Sequence, residues 1–206
     1  MVLAGREALF RKAMSYFYKN GVKSISGKKI CEDFDLSEED FKIHFKNKEG
    51  FLRQAVEFDL EDQKNQEKEV LVNTDNAVEE IIKILRHYTL KIANIHPSYF
   101  IQIQYLYPEV WQTYLRHAQM YGYYLFYDLI SKGIDQQLLR RDLNIEIVTK
   151  VLIEQINVMH NTHLFPKHRY NMGEVFRSIY LFYLRGICTE KGLHKADQLF
   201  VHNIFD

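Results

Sequence analysis

Between Ser26 and Lys48 the chain sets hydroxyl, acidic and basic side chains at spacings suited to nucleic-acid contact. Lys28, Lys29, Lys42, Lys46 and Lys48 form a group of cations that can displace counterions from phosphates. Any one of them alone reads as a solvated surface residue; together they flank one short segment. Glu38 and Glu39, with Asp40, pull the other way. Carboxylates repel phosphates, yet a glutamate can accept from cytosine N4 in a major groove. Three acids opening a helix also have a purely structural use, since each favours the helix dipole by roughly 0.3–1 kcal/mol.

These side chains must be positioned by short helices. Ser26 is an N-cap for a segment whose Ile30, Cys31 and Phe34 share one face. Asp35-Leu36-Ser37 breaks that helix and starts another, with Ser37 as N-cap and Asp40 three positions on. Phe41 and Phe45 are spaced i, i+4 and point into a core, which turns Lys42, His44 and Lys46 outward. Two short helices crossing at a tight turn are a helix-turn-helix, whose second helix can enter a major groove.

From about Arg6 to Leu52 the chain resembles the tetracycline-repressor (TetR) family of transcription regulators. The resemblance rests on the amphipathic REALFRKAMSYFYKNG ending at Gly21, on Ser26, Ile30, Leu36-Ser37 and Phe41, and on HFKNKEGFL from His44 to Leu52. Phe45, Lys48, Glu49, Phe51 and Leu52 match the family's Tyr-x-x-Phe-x-x-Lys-Glu-x-Leu string, with Lys42 in place of its tyrosine. Asp35 stands where the family usually has glycine, and Glu38-Glu39-Asp40 where it tends to have small, polar or basic residues. The resemblance implies an all-α fold: a helix-turn-helix DNA-binding head over 1–52 and a larger helical bundle over 53–206 for ligand binding and dimerisation. It also implies that Ser26, Lys28, Lys29, Ser37, Glu38, Glu39, Lys42, His44, Lys46 and Lys48 face a palindromic operator. Tyr16 and Phe17 fall on the apolar face with Leu9, Phe10 and Ala13, so their expected role is packing.

Composition agrees with a helical protein. The 206 residues include only 9 Gly and 3 Pro, and no alternating strand pattern persists. The formal net charge is zero, so any DNA contact must come from local patches. Cys31 and Cys188 are far apart in sequence and read as buried thiols of a reducing cytoplasm. No apolar run approaches the ~20 residues that cross a bilayer, so no membrane is expected as a partner. The fourth helix, from Asn47 to about Val70, ends in the polar EDQKNQEKE and reads as a solvent-exposed connector.

The segment from Tyr99 to Tyr127 is rich in aromatic residues. Most of these rings are expected in a core, but buried phenols want hydrogen-bond partners, as in a small-molecule site. His87, Tyr88, Tyr105, Trp111, Tyr114, His117, Tyr121 and Tyr124 are the candidates to hold a hydrophobic or aromatic effector. Further on, two helices carry apolar residues over more than one face. Ile153, Ile156, Met159 and His160, with Phe176, Ile179, Tyr180 and Tyr183, are the candidates for a homodimer surface. His160-x-x-His163 and the nearby His168 lack the further ligands that zinc wants, so no metal is expected. No nucleophile elbow, phosphate loop or HExxH occurs; neither an enzyme nor a cofactor is expected.

Two readings follow: a ligand-responsive DNA-binding regulator, most simply a repressor, or a ligand or protein-interaction module that keeps the fold without binding DNA. Replacing Glu38 and Glu39 together by Gln should strengthen nonspecific DNA binding severalfold at low salt, as measured by fluorescence anisotropy. Sequence preference should change as well if this helix reads bases; unchanged preference would place the reading residues elsewhere.

Overall fold

The computed structural model describes residues 3–159, 161, 163–166 and 168–201. The secondary structure is helical, with a lone bridge between Leu139 and Cys188 as its one extended pairing among the described residues. In chain order the helices are α1 (Leu3–Asn20), α2 (Gly27–Asp33), α3 (Glu38–Phe45), α4 (Lys48–Leu71), α5 (Ala77–Ala93), α6 (Ser98–Leu106), α7 (Pro108–His117), α8 (Tyr123–Asp135), α9 (Ile145–Met159), α10 (Met172–Ile187) and α11 (Glu190–Val201). A π-helical turn, Ala118–Gly122, joins α7 to α8.

Two compact units form. The first comprises Met1–Gln66 with Asn94–Ala118; the second comprises Glu67–Ala93 with Gln119–Asp206. The division expected at residue 52 is therefore not where the units part. The reason lies in packing: Ile95, Tyr99, Ile103 and Val110 share one buried core with the first helices and α4. Gln102 of α6 secures the arrangement, its Oε1 accepting from the Val22 and Lys23 amides at 2.7 and 2.8 Å. Gly21, at φ 73°, ends α1 beside that same side chain, and a Cβ there would meet Gln102 Oε1 at 2.7 Å.

The helix-turn-helix is built by caps and phenyl rings. Ser26 Oγ accepts from the Lys29 amide at 3.1 Å, and Ser37 Oγ from the Asp40 amide at 3.0 Å. The Ser37 hydroxyl in turn donates to Asp40 Oδ2 at 2.9 Å, so each cap holds a helix start that sequence places there. Asp35 adopts φ 55°, the left-handed conformation that aspartate tolerates in place of glycine. Inside, Phe51 of α4 meets Phe45 at 4.9 Å, Phe41 at 5.8 Å, Phe10 at 5.9 Å, and Phe17 and Phe34 at 6.3 Å between ring centroids.

The α3–α4 junction is tight. Lys46 sits at φ 65°, ψ −52°, and the Asn47 amide donates to the Phe45 carbonyl at 2.7 Å, which makes a γ-turn. Gly50 lies so close that a Cβ would collide with the Phe45 carbonyl oxygen.

In the second unit α5, α8, α9, α10 and α11 surround a core of Ile81, Ile84, Leu85, Phe126, Ile130, Leu152, Met159, Phe176, Tyr180 and Leu184. The polar end of α4 is not solvated all round: Gln63 and Glu67, one turn apart, are both buried. Cys31 and Cys188 are both buried free thiols, and burial pushes Cys188 up to about 12. No described helix is long and apolar enough to cross a membrane. The crowding at Gly50 makes Gly50→Ala a sensitive change. A loss of about 1–3 kcal/mol is expected from urea unfolding, the usual cost of forcing an extra carbon into a packed site; an unchanged midpoint would contradict the close α3–α4 approach.

Candidate nucleic-acid interface and buried polar interior

Because Phe41 and Phe45 are anchored inside, α3 presents its opposite face to solvent. Glu38, Glu39, Asp40, Lys42, Ile43, His44 and Lys46 are all exposed. Lys28, Lys42 and Lys46 form no ion pair among the described residues. Two of the other expected phosphate ligands are occupied by the protein itself. Lys29 Nζ lies 2.7 Å from Asp33 and 3.8 Å from Glu32, and those carboxylates hold its ammonium above the ordinary lysine range. Lys48 donates to the Val22 carbonyl at 2.5 Å, with its Nζ 5.4 Å from the centre of the Tyr107 ring. Lys48 is thus a brace between α4, the end of α1 and α6–α7. Ser26 and Ser37 are spent on the caps, though their hydroxyls remain at the surface.

Sequence reasoning missed Ile43. It is 66% exposed on a helix whose other apolar residues are buried. The signal was available: with Phe41 and Phe45 inward, 100° per residue turns Ile43 away from the core.

The aromatic candidates fall in both units. In the first, Tyr114 donates to or accepts from Tyr99 across 2.8 Å, and burial raises both phenols well above the usual range. Tyr18 donates to Asp59 at 2.6 Å nearby, so this is a satisfied polar seam within a core. Trp111 packs against Tyr114 at 6.1 Å, His117 is half-buried, and Tyr105 is 78% exposed. In the second unit Tyr88 packs on Phe126 at 6.1 Å, Tyr121 is half-buried, and Tyr124 is 55% exposed. Tyr105 and Tyr124 therefore point outward from their helices rather than into an enclosed space.

The second unit also holds buried polar atoms, on the effector candidate His87, on Tyr180 (expected at the dimer surface), and on Arg86 and Gln155, which the sequence did not single out. Arg86 Nε, His87 Nε2, Gln155 Oε1 and Tyr180 OH are buried and find no hydrogen-bond partner among the described residues. Burial lowers the His87 imidazole, opposed by the charge of Glu67 and reinforced by that of Lys91. Tyr180 is fully buried against Phe176, whose ring centroid is 4.7 Å away, and desolvation pushes its phenol far up. Gln155 shares the inward face of α9 with Leu152 and Met159; Tyr180 shares that of α10 with Phe176 and Leu184. The Tyr183 hydroxyl donates to the Val148 carbonyl at 2.8 Å and sets α9 against α10.

That inward placement corrects part of the expected dimer surface. Met159, Phe176 and Tyr180 are 1%, 0% and 0% exposed within their own bundle, because i, i+4 spacing aligns them with the core stripe. Ile153, Ile156, Ile179 and Tyr183 are half-buried, and His160 lies outside the described residues. The solvent-facing apolar residues are Ile147, Val151 and Val158 on α9 and Phe182 on α10. Among the described residues no group of three or more His, Cys, Asp or Glu is placed to hold a metal.

This fold is that of TetR-type transcription regulators. The chain superposes on a TetR regulator from Haloarcula marismortui with a TM-score of 0.75 at 15% identity, covering 91% of this chain and 100% of that one. A transcriptional regulator from Saccharomonospora viridis in complex with choline gives 0.75 at 17% identity over 91% and 98%. The regulator FadR from Bacillus subtilis in complex with stearoyl-CoA gives 0.69 at 16% identity over 87% and 97%. No family model matches the sequence, and no curated protein matches it. At these identities the likeness carries the fold.

The unpaired Tyr180 hydroxyl has a direct consequence. Tyr180→Phe should leave the ligand-free protein as stable or up to about 1 kcal/mol more stable, since no internal hydrogen bond is lost. A destabilisation beyond that range in thermal or urea unfolding would mean the phenol is already satisfied.

Proposed function

We propose that this chain is a ligand-responsive DNA-binding transcription regulator, acting in the cytoplasm as a homodimer on a palindromic operator. The observation that carries the reading is the outward face of α3, held clear of the core by Phe41 and Phe45 and capped at Ser37. In such a head α3 enters the major groove, while Lys28, Lys42 and Lys46 meet phosphates. Two heads on a two-fold body read two half-sites, which is why a dimer belongs to the proposal. The exposed Ile147, Val151, Val158 and Phe182 are its natural contact; Phe182 stands between Ser178 and Gly186, whose small size lets a partner helix approach.

The effector belongs to the second unit. Tyr180 OH and Gln155 Oε1 offer a donor and an acceptor beside the apolar Leu152, Phe176 and Leu184, the pattern of a pocket for a hydrophobic molecule with few polar groups. Two regulators of similar fold were solved in complex with choline and with stearoyl-CoA, which supports a ligand-responsive reading. Such a molecule changes operator affinity only by binding one conformation more tightly than another, and release from DNA makes the protein a repressor.

A second reading, a ligand or protein-interaction module that does not bind DNA, is favoured by one observation. The acidic turn Glu38-Glu39-Asp40 is exposed, and Lys29 and Lys48 are engaged internally. Selecting genomic fragments with the purified protein at low and near-physiological salt separates the two. A reproducible palindrome that survives the higher salt is expected; enrichment that vanishes with salt would leave the second reading.

A further inference from the structure

Glu39 and Ile43 are four residues apart on α3, hence adjacent along the ridge that faces away from Phe41 and Phe45, with Lys42 and Lys46 beside them. Neither side chain is committed within the protein: Glu39 forms no hydrogen bond or ion pair among the described residues, and Ile43 is 66% exposed. The neighbouring Asp40, by contrast, is tied to Ser37. A reading ridge centred on an acceptor and an aliphatic group is selective in a definite way. A carboxylate has acceptors only, so the N7 and O6 of guanine or the O4 of thymine repel it; adenine sets its N6 donor beside the N7 acceptor, whereas cytosine offers the N4 donor alone. The sec-butyl side chain of isoleucine has no polar atom, so a donor or acceptor pressed against it loses water without compensation. The one apolar feature of a major-groove edge is the thymine 5-methyl.

We propose, resting on α3 being the reading helix, that Glu39 and Ile43 specify a cytosine and a thymine in each half-site. Glu39 accepts from cytosine N4 and Ile43 packs on the thymine methyl. Four helical residues rise about 6 Å, which at 3.4 Å per base places the two bases within about two base pairs of each other. The acidic ridge thus gives up general affinity for DNA and keeps discrimination, with Lys42 and Lys46 offsetting part of the repulsion.

The test uses the full-length protein and the duplex obtained from fragment selection. Each thymine of one half-site is replaced in turn by deoxyuridine, which removes the methyl and nothing else, and Kd is measured by anisotropy. One position is expected at which wild type binds about fourfold more weakly, the worth of one buried methyl group. Ile43→Ala should bind thymine and uracil duplexes equally there, and Glu39→Gln should lose fivefold or more of the preference for the neighbouring cytosine. Both residues are exposed, so both variants should give wild-type circular dichroism. Uracil tolerated at every thymine, or a penalty that persists in Ile43→Ala, overturns this assignment while leaving the regulator reading intact. Failure to select any duplex removes the reading helix and both proposals together.

Discussion

The position of α3 depends on one ring. Phe51, at the start of α4, is fully buried and touches aromatic side chains from α1, the end of α2, and α3. Deleting a buried phenyl typically costs about 3–5 kcal/mol, against a total stability of roughly 5–15 kcal/mol for a domain. No surface ion pair of the head approaches that; an exposed pair such as Lys29–Asp33 contributes about 0–1 kcal/mol. The head is therefore an aromatic core with polar caps, and the direction in which α3 faces is a consequence of where Phe41 and Phe45 must point. The γ-turn at Lys46 and the contact of Gly50 with the Phe45 carbonyl then fix how closely α4 follows.

This core has a second tie, to α6 and α7. Gln102 holds the turn after α1, Lys48 reaches the Val22 carbonyl beside Tyr107, and the Tyr99–Tyr114 and Tyr18–Asp59 hydrogen bonds satisfy the phenols buried between helices. Two features that suggested ligand or phosphate contact by residue type are thus used to join one unit together. Buried phenols and lysines with internal partners are stabilising parts of a scaffold; unpartnered ones carry the functional inference. By that criterion the interior of the second unit, with Tyr180 and Gln155, is the part of the scaffold that carries the proposed effector site.

Sequence periodicity located the helices of the head well, because caps such as Ser26 and Ser37 and the break at Gly21 are local signals. It also gave the inward faces of the helix-turn-helix, since a short helix with two buried apolar residues, Ile30 and Cys31 in α2 or Phe41 and Phe45 in α3, has only one way to turn. What it could not give was partnership between distant helices. Nothing local says that Ile95, Tyr99 and Ile103 complete the core of the first unit, or that Lys48 ends on a carbonyl rather than at a phosphate. The helices α9 and α10 show the same limit: apolar on several faces, they announced two burials, but only packing assigned Phe176 and Tyr180 to the core and Phe182 to the surface. The polar end of α4 misled for the opposite reason, since charged residues such as Glu67 can be buried when partnered.

The central claim is that the outward face of α3 is the surface that meets base pairs. A photo-cross-linking amino acid placed at position 43 tests it most directly, on the duplex that the protein selects. Irradiation is expected to join position 43 to bases of the half-site, at one register and in both halves of the palindrome. Tight, sequence-specific binding with no cross-link from that position would contradict the claim and move the reading surface elsewhere on the molecule.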